Sequence, residues 1–348
     1  MFFNNVFMKQ IWIAATMILV MTGWQSPALA QSAQDEVMHA SVLMYHRFNE
    51  QRYPSTNTTI EQLESHIAYL QDGGFNVMAL NDIIYRFQSG KGVPDKTVAI
   101  TIDDAYLSVF EHGWPRFQEA GFPITIFVAT DPIDRNLRGY MSWDQIRLLQ
   151  ADGVGIGSQT KSHPHMHRIP LEDAREELRY SNDRFIAELG LRPELFAYPY
   201  GEYNLDVIEA VKQAGFIAAF GQNSGIMHHQ DLMFELPRFT FNETYGDLNR
   251  LALAANGLPL KVTDLTPPDM VITENPPFYG FTLHSDMEPK KQLRCFNSTY
   301  GKLEVSLLGQ RAEIRLPGPL KGPRFRINCT MPAENGRWRW FGRQFLTR

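Results

Sequence analysis

Cysteine is almost missing from this chain, with two in 348 residues, too few for a disulfide-stapled scaffold. Charge of one sign is scarce as well. Thirty-three Lys and Arg face 38 Asp and Glu, a formal net charge of -5. That balance excludes a general nucleic-acid binder, because neutralising phosphates needs a basic surface. No segment beyond the N-terminus is apolar over the ~20 residues that a membrane-spanning helix requires. What is present is ordinary for a folded chain: 44% hydrophobic, 12% aromatic and 20% charged residues, which exclude a disordered or collagen-like polymer. At ~150 residues per domain the length predicts about two domains. The overall charge also hides a division. Residues 31–260 carry 18 Lys/Arg and 30 Asp/Glu, net -12, whereas residues 261–348 carry 14 and 8, net +6. Two units with different surfaces follow from that asymmetry.

The N-terminus reads as an address. Lys9 precedes the apolar run 11–21, and Ala28-Leu29-Ala30 supplies the small residues that a signal peptidase accepts. Residues 1–30 are therefore expected to be a secretory signal, cleaved after Ala30, on an exported protein, periplasmic or extracellular. A retained anchor is the alternative, but the run is shorter than a bilayer span. Export permits a disulfide. Both cysteines, Cys295 and Cys329, lie in the basic C-terminal segment and are expected to be bonded; the alternative is two buried thiols that never meet.

Between residues 41 and 260, short apolar or β-branched runs alternate with helical patterns. Strands are predicted at 42–45, 76–80, 97–102, 124–128, 154–158, 195–198, 216–220 and 236–241. Thr59 with Gln62 can form a capping box, and Gly73 lies at a C-cap position. Leu171, Ala174, Leu178, Phe185 and Leu189 form one helical stripe, which Gly190 closes. Repeated βα units imply a parallel sheet with helices outside it. Seven or eight units over residues 31–260 predict an α/β fold, a distorted (β/α) barrel; an open doubly wound sheet is the runner-up. Past Leu260 the period changes to two, with strands predicted at 278–283, 302–308, 312–316 and 324–329. Residues 261–348 are expected to form a small β-sandwich-like domain behind a proline-bearing linker. The terminal Arg337-Trp338-Arg339-Trp340-Phe341-Gly342-Arg343 stretch reads as a closing strand with one buried face. Exposed, it would suit an anionic or sugar polymer.

Polar residues collect where barrel strands end, which is where such folds place function. Thr101-Ile102-Asp103-Asp104 ends one strand with two carboxylates. Gln159-Thr160-Lys161-Ser162-His163-Pro164-His165-Met166-His167 follows another, and Tyr198-Pro199-Tyr200-Gly201 a third. Met44-Tyr45-His46-Arg47 ends the first. Consecutive carboxylates at a strand end point to opposite faces and can serve different partners, one a metal and the other a proton. Taken alone, an Asp-Asp pair is equally a helix N-cap, His46 a histidine bonded to backbone, Tyr198 and Tyr200 ordinary packing, and His165 and His167 solvated loop residues. Trp114 and Trp143 could stack on sugars, but their helical contexts read as core.

In order, "TIDDAY", "GSQTKSHP" and "FAYPYG" resemble the polysaccharide deacetylase family, the NodB-like carbohydrate esterases, and "VLMYH" resembles its circularly permuted branch. The resemblance covers about residues 40–245 and excludes the C-terminal segment. It implies a distorted barrel that removes acetyl groups from an N-acetylglucosamine-type polymer with a divalent metal, usually zinc. Carried over residue by residue, it makes Asp103 the general base, Asp104 and His163 metal ligands, the Tyr200 backbone N–H an oxyanion donor and His46 the general acid. Two positions depart from the pattern. Gln159 stands where the family has a ligand histidine, and a neutral carboxamide oxygen is a poorer zinc ligand than imidazole. Three outcomes stay open: Gln159 ligates directly or through water, His165 or His167 swings in, or the site is metal-poor and inactive. Ala197 stands where many members have the arginine that orients the base, a task Arg238 could take over; a surface or packing role for it is about as good a reading. The competing function is a non-catalytic carbohydrate-binding relative that lost its metal through Gln159. A glycoside hydrolase fits poorly, because its two carboxylates must flank the bond ~5–9 Å apart.

Overall fold

The computed structural model describes residues 1–2 and 36–347. The expected signal segment, residues 1–30, lies outside the described residues apart from its first two. Residues 36–347 form one compact unit.

Parallel pairing joins His39–Tyr45, Thr97–Asp103, Ile124–Val128, Gly155–Ser158, Leu195–Ala197 and Ala218–Phe220 in turn. Phe220 then bridges Leu236, and Phe239–Thr240 pairs with Leu43 and Met44, both in parallel sense. The sheet therefore curls until its last unit lies beside its first, which an open doubly wound sheet does not do. These strands are buried on both faces, as parallel strands covered by helices must be. Leu43, Tyr45, Ile100, Ile102, Ile126 and Val128 join one apolar cluster. Val42, Ala99, Phe127, Ala197, Ala218 and Phe220 join another. The second set carries many alanines, which leaves room inside the curl for larger residues.

Local signals define the helices. Thr59 and Gln62 form the reciprocal capping box that starts Ile60–Asp72, with Gly73 at its C-cap. Ser142 and Gln145 do the same for Trp143–Ala151. The helix Leu171–Leu189 buries Ala174, Leu178 and Phe185 and ends on Gly190, whose φ of 68° needs a residue without a β-carbon penalty. The strand expected over 76–80 is confined to Asn76–Val77, since Leu80 already opens the helix Leu80–Gln88 and is buried with Ile83, Ile84 and Phe87. Over 236–241 only Phe239–Thr240 is regular strand. Trp114 and Trp143 are buried, and the Trp143 indole donates to Asp134 Oδ1 (2.8 Å).

A second nine-stranded sheet begins at Leu258–Pro259 and contains the strands from there to Thr347. Its neighbours run Trp338–Thr347, Arg324–Pro332, Arg294–Asn297, Gly301–Leu308, Arg311–Arg315, Tyr279–Leu283 and Val262–Thr266. Cys295 and Cys329 are cross-strand partners and form a disulfide. They lie in a core with Phe281, Ile327 and Phe345. The Arg337–Arg343 stretch is mainly the start of the strand Trp338–Thr347, with Trp340 edge-on to Phe239 at 5.5 Å.

Candidate active site

Asp103 is the last residue of Thr97–Asp103 and has no exposed surface. Period two puts it on the same face as Ala99 and Thr101. Arg238, equally buried, fills that interior. Its guanidinium donates through Nη1 to Asp103 Oδ1 (2.7 Å) and through Nη2 to Oδ2 (2.9 Å), while Nε donates to the Gly221 carbonyl (3.0 Å) and Nη1 also reaches Thr101 Oγ1 (3.3 Å). This is the planar fork that arginine presents to a carboxylate. Burial on its own would raise the Asp103 pKa, but the charges of Arg238 and His46 outweigh it and hold the carboxyl below its ordinary value. His46 follows the first strand, is buried, and has Nε2 3.9 Å from Asp103 Oδ2.

Asp104 leaves the strand with φ of 76°, its N–H donating to the Phe127 carbonyl (3.0 Å). It is not a helix N-cap, because the next helical segment begins at Val109 behind Ser108. The left-handed turn sends it away from the face of Asp103, and His163 Nε2 lies 3.4 Å from its Oδ1. His163 itself has φ of 58°, and its N–H donates to Thr160 Oγ1 (3.0 Å).

Gln159 has no exposed surface, and its N–H donates to the Val128 carbonyl (2.9 Å). Neither Oε1 nor Nε2 of its carboxamide has a hydrogen-bond partner among the described residues. Buried polar atoms are satisfied nine times in ten or better, so this carboxamide has unspent capacity. Among the described residues no three His, Cys, Asp or Glu side chains converge as a metal-holding group. Asp104 and His163 are a pair, with Gln159 four residues earlier on the same loop. The donor set suits a divalent cation if the carboxamide oxygen is the third protein ligand, although imidazole would serve zinc better.

The structure does not bring His165 or His167 to Asp104. The Tyr200 ring stacks on His165 (centroids 4.0 Å) and meets His163 edge-on (4.5 Å) on its other contact. His165 Nδ1 instead lies 2.5 Å from Glu202 Oε2, and His167 Nδ1 lies 3.5 Å from the same oxygen. Burial lowers the His167 pKa, with Glu202 acting against it. Tyr200 adopts φ of 60° in the turn after Leu195–Ala197. Burial, then the charges of Asp104 and Glu202, raise its phenol pKa.

Two groups of neighbours escaped sequence reasoning. Glu202, 3% exposed, directly follows the "YPYG" motif, and its position there was the available signal. Arg47 donates to Glu50 Oε2 (2.7 Å), and its guanidinium carbon lies 4.2 Å from the Tyr53 ring centre and 3.3 Å from that of Tyr106. Tyr106 in turn packs on Tyr140 at 4.9 Å. Nothing in the spacing of these residues links them; only folding does.

The polysaccharide deacetylase family profile matches residues 90–219. Among curated proteins, YxkH of Bacillus subtilis, named for that family, is 23% identical over 200 residues, 57% of this chain and 69% of the relative. The poly-beta-1,6-N-acetyl-D-glucosamine N-deacetylase of Escherichia coli K12 is 24% identical over 225 residues, 53% of this chain but 33% of the relative. The Staphylococcus aureus MRSA252 protein of the same name is 22% identical over 195 residues, 52% of this chain and 67% of the relative. The chain thus spans only part of the proteins it matches. In fold, it is similar to IcaB from Ammonifex degensii (TM-score 0.57, 23% identity, 63% of this chain and 98% of that one). It is similar to the same degree to the Streptococcus pyogenes deacetylase PplD (TM-score 0.57, 18% identity, 63% and 99%). The three motifs at the ends of adjacent strands in this curled α/β sheet, at 101–106, 157–164 and 196–201, all fall within the segment that matches the polysaccharide deacetylase family.

Proposed function

We propose that the protein is a divalent-metal-dependent N-deacetylase, zinc being the metal that a carboxylate and an imidazole favour, acting on an extracytoplasmic N-acetylglucosamine-type polysaccharide. The observation that carries this reading is the buried Asp103 carboxylate, gripped by both arms of Arg238 and faced by His46, one residue from the Asp104–His163 pair. The catalytic unit is a distorted (β/α) barrel over residues 31–260, with a β-rich C-terminal domain over 261–348 and residues 1–30 as export signal. Among the described residues no helix is long and apolar enough to cross a membrane.

Asp104, His163 and the Gln159 carboxamide would hold the cation. Bound there, it supplies Lewis-acid polarisation of the acetamide carbonyl and a lowered water pKa. Asp103, kept ionised at neutral pH by Arg238, takes the proton from the attacking water. The Tyr200 N–H donates to the oxyanion as the carbonyl becomes tetrahedral. His46 protonates the sugar nitrogen as the C–N bond breaks, since an imidazole changes charge near neutral pH. Acetate and a free amino sugar leave.

The second reading, a carbohydrate-binding relative without catalysis, draws on the replacement of imidazole by Gln159. One experiment separates the two: metal analysis of the purified protein together with amine release from an N-acetylglucosamine oligomer. Metal content near one per chain with release of free amine is expected, and Asp104→Ala should abolish both. Sugar binding without metal or amine release would establish the second reading instead.

A further inference from the structure

The Tyr200–Gly201 turn is an unusual piece of backbone for a catalytic donor to rest on. Tyr200 has φ of 60° and Gly201 φ of 66°. A side chain on Gly201 would meet Gln222 at 2.5 Å. A tyrosine in the left-handed region persists only where its surroundings over-determine it. From within the barrel, the turn is held by its own bonds, Gly201 N–H to the Tyr198 carbonyl (2.8 Å) and Glu202 N–H to the Pro199 carbonyl (3.1 Å). Both carbonyls at its apex are taken by the C-terminal sheet. Arg324 Nη1 donates to the Tyr200 carbonyl (2.9 Å), and Gln344 Nε2 donates to the Gly201 carbonyl (3.0 Å).

These two donors are themselves placed. Arg324–Pro332 and Trp338–Thr347 are adjacent antiparallel strands with Arg326 opposite Gln344. Arg326 Nε donates to Gln344 Oε1 (2.9 Å), which orients the amide so that its NH2 faces the turn. Gln344 has no exposed surface, so its bond to Gly201 is made away from water. Arg324 also approaches Glu202 Oε1 at 3.6 Å, and Glu202 is the residue that holds the histidine stacked on Tyr200.

We propose that Arg324 and Gln344, from outside the barrel, are positioning residues for deacetylation: they fix the Tyr200–Gly201 and Gly201–Glu202 peptide planes, and by holding Tyr200 in its left-handed conformation they aim the N–H of the preceding Pro199–Tyr200 plane at the developing oxyanion. The proposal rests on the deacetylase reading above. It assigns the C-terminal sheet a part in the reaction without contact with substrate.

The test uses the full chain loaded with zinc and an N-acetylglucosamine oligomer, with wild type, Arg324→Ala, Arg324→Lys and Gln344→Leu compared. For Arg324→Ala and Gln344→Leu, kcat should fall by about 10- to 100-fold, the scale of a misaimed oxyanion donor. KM should stay within about twofold, and zinc content should be unchanged. Arg324→Lys should recover most of the rate, because an ammonium can still donate to the Tyr200 carbonyl. Hydrogen exchange of the segment 198–203 should be faster in Arg324→Ala and Gln344→Leu than in wild type. Values of kcat within twofold of wild type in both variants, or unchanged exchange, overturn the proposal. An inactive wild type removes the deacetylase reading instead, and the exchange data then decide the positioning on their own. If Gln344→Leu does not fold, the partly exposed Arg324→Ala carries the test.

Discussion

Burial alone would drive the Asp103 carboxyl toward its neutral form, and a neutral acid cannot take a proton from water. Arg238 reverses that tendency, so under the proposed function the two side chains, 135 residues apart, act as one unit. A carboxylate with a depressed folded pKa adds stability that is present above its unfolded value of ~3.9 and is lost as pH falls through the folded value. Arg238→Gln should therefore do two things. It should cost about 3–5 kcal/mol in chemical denaturation at neutral pH, the cost of leaving a buried charge uncompensated. It should also move the acid limb of kcat/KM upward, because desolvation then acts on Asp103 with only the charges of His46 and His163 against it. An unmoved acid limb would take Asp103 out of the role of base. Gln159 makes the complementary case, a buried amide with neither polar atom bonded. Gln159→His should tighten zinc binding by at least the 10- to 100-fold that changes around a ligand set produce, read by competition with a chelator. Unchanged affinity would place residue 159 outside the metal site.

At the scale of elements, the site depends on how closely adjacent strands approach. Gly157, in Gly155–Ser158, lies against Phe127 of Ile124–Val128, and a β-carbon there would collide with the phenyl ring. That ring lies 5.3 Å from the Arg238 guanidinium carbon, so Gly157 controls Arg238 through one intervening side chain. Gly157→Ala should destabilise the fold by about 1–3 kcal/mol through overpacking and should lower kcat, since a displaced Phe127 ring presses on Arg238. A thermal melt paired with steady-state rates checks both; loss of stability with full kcat would show that the ring moves elsewhere. Helix ends behave more simply. The Thr59 and Gln62 capping box and the Gly190 C-cap are decided within a few residues, so they are legible in the sequence and present in the structure. The strand over 76–80 is different: the apolar run there suits either structure, and burial of Leu80 with Ile83 and Phe87 gives it to a helix.

For the whole molecule, the basic and acidic portions form one body over residues 36–347. Buried or partly buried ion pairs cross between these two portions: Arg343 Nη1 meets Glu235 Oε2 at 2.6 Å, and Arg337 Nη1 meets Asp95 Oδ2 at 2.9 Å. The charge asymmetry seen along the chain is thus partly spent on holding its two portions together. The Cys295–Cys329 bond, with a sequence separation of 34, closes a loop of that order. Its loss through a double Cys→Ser variant should cost about 3–4 kcal/mol on the chain-entropy account. Urea titration of the oxidised and variant proteins measures this, and equal midpoints would contradict it.

What the sequence determined by itself is the local and the patterned. The alternation of strand and helix, the strand-end positions of Asp103, Asp104, His163 and Tyr200, and the change of period after Leu260 all follow from periodicities of 3.6 and 2 that neighbouring residues carry. It could name His46 and Arg238 as candidates but not show that both would face the buried Asp103 carboxylate. Its one signal for Glu202 was the place directly after the "YPYG" motif, which does not name His165 and His167 as partners, and it had none for Arg324 and Gln344 beneath the Tyr200 turn. Those decisions belong to the tertiary structure. Long-range side-chain pairs are set by which strand ends and sheet edges the curl brings together, and no spacing along the chain encodes that distance. The same holds for Gln159: its chemistry is legible from its identity, but only burial without a partner makes its carboxamide available to a ligand.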